Sequence, residues 1–140
     1  MDIVIDFDGT VVTHDYPLVG SDIGAVPVLK ELIENGHRLI LFTMRCDKES
    51  CLLDNAEQMK ENAAGGLTDA IMWFKEKGIE LYGVQTNPDQ SKWTTSPKAY
   101  GQIIIDDAAL GCPLIHFKHK RPYVNWETVR FWLQEMQLIK

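Results

Sequence analysis

Two aspartates separated by one residue follow the first apolar run of the chain. Asp6 and Asp8 come directly after residues 3–5 (Ile-Val-Ile), a run typical of a buried parallel strand. Residues two apart in a strand point the same way, so both carboxylates would leave the strand end on one side. Because buried, unpaired carboxylates repel each other, a divalent cation would stabilise them, and hard oxygen ligands favour Mg²⁺. Gly9 permits a sharp turn, and Thr10 offers an anion a hydroxyl and a backbone N–H.

Two further apolar runs also end in polar side chains. Thr43 ends the run 39–42, and Asp106 and Asp107 end the run 103–105. Ligands of open α/β sheets bind outside the carboxyl ends of the strands, where the strand order reverses. These side chains are therefore predicted to flank one crevice together with the first aspartate pair. The alternative for each is structural: a solvated aspartate pair at a loop, or a threonine that simply suits a strand.

These residues, in this order, resemble the motifs of the haloacid dehalogenase superfamily. Asp6-Phe7-Asp8-Gly9-Thr10 is similar to the first motif, and Thr43 to the second. Lys98 matches the third, a basic residue upstream of the last acidic pair, and Lys92 is a second candidate for this role. Asp106 and Asp107 match the fourth.

The resemblance implies an Mg²⁺-dependent phosphatase that acts through an aspartyl-phosphate. Asp6 would be the nucleophile and Asp8 the general acid–base, while Thr43 and Lys98 would bind the phosphoryl oxygens. Mg²⁺ would be held by Asp6, the backbone carbonyl of Asp8, and Asp106, and Asp107 would support this metal shell. The alternative is a catalytically weak or non-catalytic member that binds phosphate and Mg²⁺.

Strands alternate with helices along the chain, which predicts an α/β fold. The expected architecture is one domain over residues 1–140, with a three-layer, Rossmann-like parallel sheet covered on both faces. Its expected strand order is 3-2-1-4-5, which places the reversal between the first and fourth strands. The third strand is predicted over residues 79–84 and the fifth over Pro113–Phe117.

The helices are predicted from apolar spacing and from end signals. One is expected from about Val26 to Asn35, an amphipathic one over 47–62, and another from Leu67 that stops at Gly78. Asn125 is expected to cap the last helix.

The intervals 11–24 and 85–97 are too short for a large cap domain. The site is therefore expected to be open, unless the 11–24 loop, the 47–62 helix or a neighbouring subunit covers it. Candidates for substrate contact, by position only, are His14, Tyr16, Arg45 and Trp93. For Arg45 a solvated side chain is the alternative.

Composition limits the possible partners. The chain has 140 residues and a net charge of −6, which does not favour nonspecific nucleic-acid binding. The cationic run 116–121 is interpreted as a solvated edge. No apolar run is long enough to span a membrane and no secretory signal is recognisable, so a cytoplasmic protein is expected. The three cysteines are expected to be reduced thiols. A phosphorylated small molecule is the expected substrate, and a homo-oligomer is possible.

Two other classes of protein fit the sequence less well. A phosphorylated receiver domain carries its reactive aspartate at the end of a middle strand, whereas the third predicted strand, 81–84, has no aspartate at its end. A nucleotide-binding module would require a glycine-rich phosphate loop, and neither common form of that loop is present.

Overall fold

A parallel sheet of four short strands lies at the centre of the described part of the fold. The computed structural model describes residues 1–47 and 66–140. The sheet consists of β1 (Asp2–Ile5), β2 (Arg38–Leu41), β3 (Gly83–Val84) and β4 (Ile103–Ile105). The helices are α1 (Ala25–Glu34), α2 (Leu67–Glu76) and α3 (Trp126–Glu135), and residues Gln90–Lys92 form a 3-10 turn. The predicted α/β fold is therefore confirmed for the described residues.

The strand order is β3-β2-β1-β4, so that β1 lies between β2 and β4. All three pairings are parallel, with Ile5 opposite both Leu41 and Ile105. The ladder continues one residue beyond β1, where the backbone N–H of Asp6 donates to the carbonyl of Ile105 at 3.0 Å. The carboxyl ends of β1, β2 and β4 therefore lie side by side, as the predicted strand order requires.

The prediction of a fifth strand in this sheet is wrong. Leu114–Ile115 (β5) instead pairs antiparallel with Tyr123–Val124 (β6), which leaves β4 at the edge of the parallel sheet among the described residues. The apolar run is short and preceded by Pro113, which has no N–H to donate to a ladder. The hairpin is anchored beside the Asp-x-Asp-Gly-Thr loop, because the N–H of Val124 donates to the carbonyl of Gly9 at 2.9 Å.

The main hydrophobic core lies on one face of the sheet. Ile3 and Ile5 of β1, and Leu39 and Leu41 of β2, are fully buried in it. The helices α1, α2 and α3 each contribute buried side chains to the same cluster, including Leu29, Phe74 and Leu133. The core thus holds β1 and β2 rigidly and fixes the position of their carboxyl ends.

The opposite face is covered in a different way. Val4 and Ile40 pack there against Ala99 and Tyr82. Within the described ranges this cover consists of Tyr82 and the irregular segment 85–102, which contains the 3-10 turn and no α-helix. Side-chain amides hold the segment: Asn87 donates to the Asp2 carboxylate at 2.9 Å, and Gln90 donates to the carbonyls of Ser96 and Lys98, both at 3.1 Å.

The helices predicted around residues 26–35, 67–78 and after 125 are confirmed within one or two residues. Gly36 has a positive φ of 84°, as expected of a residue that follows a helix end. The side chain of Asn125 caps α3 by accepting from the N–H of Thr128 at 3.2 Å. The helix predicted over 47–62, and with it most of the proposed rim of the site, lies outside the described residues.

Two further features bear on the sequence predictions. Among the described residues, no helix has the length and apolarity that a membrane crossing requires. Cys46 is disulfide-bonded, so the expectation of reduced thiols is wrong for this residue, whereas Cys112 is a free thiol.

Candidate functional site

Three aspartates converge where β1 and β4 end. Carboxylate oxygens of Asp6, Asp106 and Asp107 lie within 4.8 Å of one another. They line a cavity of about 420 Å³, together with Asp8 and Thr43. This volume suits a small ligand. The structure therefore brings together five of the six residues predicted for the site.

Thr10 connects the two ends of this acidic cluster. Its hydroxyl donates to Oδ2 of Asp6 at 2.8 Å and accepts from the backbone N–H of Asp107 at 3.0 Å. The side chain is fully buried, so its hydroxyl supports the aspartates instead of offering itself to an anion as expected.

Burial controls the charge of Asp6. Loss of hydration raises its pKa from 3.8 to about 7, and repulsion from Asp106 and Asp107 adds to the rise. Hydrogen bonds from Thr10 and from the backbone of Phe7 oppose it. Near neutral pH and without metal, Asp6 is therefore stabilised either by binding a proton or by binding a cation.

This raised pKa makes the stability of the metal-free protein fall as the pH increases. Between pH 3.8, the ordinary value, and about 7, the folded state holds a proton on Asp6 that the unfolded state has lost. The free energy of unfolding should therefore decrease across this window, by at most about 1.4 kcal/mol per pH unit from this group. The penalty levels off once the pH is well above 7, where Asp6 is ionised in both states.

The variant Asp6→Asn isolates this contribution, because it keeps the shape and removes the titration. In urea unfolding with EDTA, its stability advantage over the wild type should grow from pH 4 to 7 and then level off. An advantage that stays constant with pH would show that Asp6 is hydrated like a surface carboxylate.

Asp8 is held by a buried arginine. Nε and Nη2 of Arg45 donate to Oδ2 and Oδ1 of Asp8, each at 2.7 Å. Nη2 also donates to the carbonyl of Leu18 at 2.7 Å, and the Arg45 side chain is only 1% exposed. Arg45 is therefore neither solvated nor free for substrate, the two alternatives considered from the sequence. Its partner lies 37 positions away in the chain, and no local pattern indicates such a pairing.

Thr43 presents its hydroxyl to the cavity from the end of β2. Its Oγ1 accepts from the backbone N–H of Arg45 at 3.2 Å, so the hydroxyl proton remains available for a ligand. The side chain of Gln85, which follows β3, fixes this backbone. It accepts from the N–H of Thr43 at 2.8 Å and donates to its carbonyl at 2.6 Å. Gln85 was not predicted as a site residue, and its position directly after β3 was the only signal for it in the sequence.

The predicted phosphate-binding lysine is not brought to this cavity. Lys98 is exposed and belongs to the segment 85–102, which Asn87 ties to Asp2 at the start of β1. Asp2 lies at the opposite end of that strand from Asp6. The alternative, Lys92, is also exposed and lies 3.6 Å from Asp89. Trp93 of the same segment is 63% exposed and packs edge-on against Tyr100.

The 11–24 loop does reach the site. His14 and Tyr16 line the acidic cavity, and Nε2 of His14 lies 2.9 Å from Oδ2 of Asp107. A side chain at position 9 would collide with the His14 ring, and Gly9 has a positive φ of 76°. The cavity is completed by Met44, Ala108 and Arg121, a residue of the β5–β6 hairpin that was not predicted as a site residue.

Comparison with known proteins identifies a relative but no function. The chain is similar to a conserved protein from Bacteroides thetaiotaomicron of known structure, with 30% sequence identity and a TM-score of 0.69. The alignment covers 97% of this chain and 91% of that one. No protein-family model and no curated protein matches the sequence. The identity and the coverage together show that the chain belongs to the family of this conserved Bacteroides protein.

Proposed function

We propose that this protein is an Mg²⁺-dependent phosphatase of the haloacid dehalogenase type, which hydrolyses phosphomonoesters through an aspartyl-phosphate on Asp6. One observation carries the proposal. The oxygens of Asp6, Asp106 and Asp107 lie within 4.8 Å of one another at adjacent strand ends, in a cavity that Thr43 also lines. This arrangement would bring together a nucleophile, a metal site and, in the Thr43 hydroxyl, a hydrogen-bond donor for the phosphoryl group.

The donor set fits Mg²⁺. Three carboxylates provide hard oxygen ligands, and burial, together with repulsion from Asp106 and Asp107, raises the pKa of Asp6, a combination that a bound cation would offset. Asp6, Asp106 and Asp107 would hold the ion, and the resemblance adds the backbone carbonyl of Asp8. When bound, Mg²⁺ would offset the repulsion between the nucleophile and the phosphate dianion.

The chain's own residues account for the bond changes. A carboxylate oxygen of Asp6 attacks phosphorus, and the bond from phosphorus to the leaving oxygen breaks. Asp8 gives that oxygen a proton and then takes one from the water that attacks the phosphorylated Asp6. Inorganic phosphate leaves and Asp6 is regenerated. The Thr43 hydroxyl donates to a phosphoryl oxygen throughout.

The Arg45 contact adds a condition to this scheme. Arg45 occupies both carboxylate oxygens of Asp8 at 2.7 Å, so one of them must turn away from the guanidinium to meet the leaving oxygen. This pairing, together with the position of Lys98 outside the cavity, is also the observation that favours a second candidate. That candidate is a protein of the same type that binds Mg²⁺ and phosphate without turnover.

Hydrolysis of p-nitrophenyl phosphate separates the two candidates. A phosphatase should release nitrophenolate with Mg²⁺, stop in EDTA, and recover when Mg²⁺ is restored in excess. A short pulse of labelled substrate should also leave a protein-bound phosphate that hydroxylamine removes, as expected of an acyl phosphate. Binding of Mg²⁺ and phosphate by calorimetry without any release would instead support the binding protein.

A further inference from the structure

A second cavity opens beside the acidic one. It has a volume of about 530 Å³ and shares two wall residues, His14 and Arg121, with the cavity that contains the aspartates. Its other walls come from the 11–24 loop and from the β5–β6 hairpin. A ligand that fills both cavities would pass Arg121.

The charges of the two cavities are opposite. The first is lined by four aspartates, and its buried cation, Arg45, is already bonded to Asp8 and to backbone carbonyls. The second is lined by Lys120 and Arg121 against a single carboxylate, Asp15. Within residues 1–47 and 66–140, neither Lys120 nor Arg121 forms a hydrogen bond or an ion pair. Both therefore remain available to an anionic ligand.

The cationic run 116–121 is exposed throughout, as interpreted from the sequence, but the hairpin that carries it also borders the site. Its second strand is bonded to the Asp-x-Asp-Gly-Thr loop, where the N–H of Val124 donates to Gly9 at 2.9 Å. Phe117 and Tyr123 form an aromatic wall, with ring centroids 5.0 Å apart, and both line the second cavity. Basic and apolar surface are thus combined next to the reactive cluster.

We propose that the second cavity is a binding subsite for the leaving group of the substrate, which is the part from which the phosphoryl group is removed. This leaving group bears another anionic group. Arg121 and Lys120 bind that anion, and the connecting apolar portion packs on Phe117 and Tyr123. The substrate class is therefore a phosphomonoester with a carboxylate or a further phosphate at its other end. This inference rests on the proposed function for the orientation of the phosphoryl group.

Non-hydrolysable probes test the subsite without requiring turnover. With Mg²⁺ present, calorimetry would compare three ligands: pentylphosphonate, its ω-carboxylate derivative and pentane bisphosphonate. Charge-assisted contacts should make the doubly anionic probes bind about ten-fold more tightly to the wild type. A preference for the carboxylate or for the bisphosphonate distinguishes the two possible anions.

Single substitutions that remove a positive charge identify the residues responsible for the preference for doubly anionic probes. Arg121→Gln should abolish the advantage of the doubly anionic probes, and Lys120→Gln should reduce it. Lys118→Gln is the matched control, because Lys118 lies on the same hairpin and lines neither cavity. The inference is overturned if the wild type shows no preference, if no probe binds, or if Arg121→Gln weakens all three probes equally. Failure of the phosphatase proposal would give a different result. The wild type would keep its preference for the doubly anionic probes but would hydrolyse no phosphomonoester.

Discussion

Replacing Asp6 with asparagine is expected to lower Mg²⁺-dependent phosphatase activity by ~10³-fold or more. The amide cannot form the acyl phosphate that the proposed mechanism requires, and it is a poor ligand for Mg²⁺. The measurement is kcat/KM for p-nitrophenyl phosphate at saturating Mg²⁺. Since the substitution removes the buried charge, the variant should remain folded, so the loss would not reflect unfolding.

A matched control removes a carboxylate elsewhere. Glu135→Gln changes an exposed residue of α3 and should leave kcat/KM unchanged. If Asp6→Asn retained activity within ten-fold of the wild type, Asp6 would not be the nucleophile. The activity would then have to arise from another group in the cavity.

Substituting methionine for Arg45 is expected to lower the free energy of unfolding by about 3–5 kcal/mol. The guanidinium is buried and holds Asp8 through two bonds of 2.7 Å, while it also donates to the carbonyl of Leu18. Methionine has a similar length but leaves that carboxylate and carbonyl without their donor. Chemical denaturation with urea at neutral pH would measure the loss.

The surface pair Arg130–Glu31 provides the comparison. Arg130 is 36% exposed in its side chain, so Arg130→Met should cost about 1 kcal/mol or less. In the double variant Asp8→Asn/Arg45→Met, part of the stability lost in Arg45→Met should return because no unpaired carboxylate remains. Equal losses in Arg45→Met and Arg130→Met would contradict a structural role for the Arg45–Asp8 pair.

The strand-end residues could be predicted from the sequence because their signal is local. Asp6, Thr43 and Asp106 each end an apolar run, and parallel strands bring such ends to one edge of the sheet. The order of the four strands follows from the same reasoning. No side-chain contact had to be known to place these three groups together.

The position of Lys98 in the fold could not be predicted in this way. Its position before the last acidic pair was visible in the sequence, but the path of the chain between them was not. Residues 103–105 cross the sheet from its amino edge to its carboxyl edge, and Lys98 precedes that crossing. Lys98 therefore stays in the segment that precedes β4, which Asn87 ties to Asp2 at the amino edge of the sheet.

The Arg45–Asp8 pair and the fate of the fifth strand required information that a linear pattern does not contain. The pair joins residues 37 positions apart, and either a substrate or a carboxylate would satisfy the same guanidinium. The run at Leu114 could extend the sheet or form a hairpin with Tyr123. Both pairings satisfy the same backbone groups, and the contacts of the hairpin with the Gly9 loop favour the second.

The segment 85–102 has a consequence for how the molecule opens. Its cover over Val4 and Ile40 depends on the side-chain amides of Asn87 and Gln90, whereas β1 and β2 are joined by a backbone ladder and buried in the main core. Local unfolding free energies are lowest where few backbone bonds and few apolar contacts must break. We therefore expect the segment to open separately from the rest of the native state, which would expose Val4 and Ile40 while the acidic cluster at the far ends of β1 and β4 stays assembled.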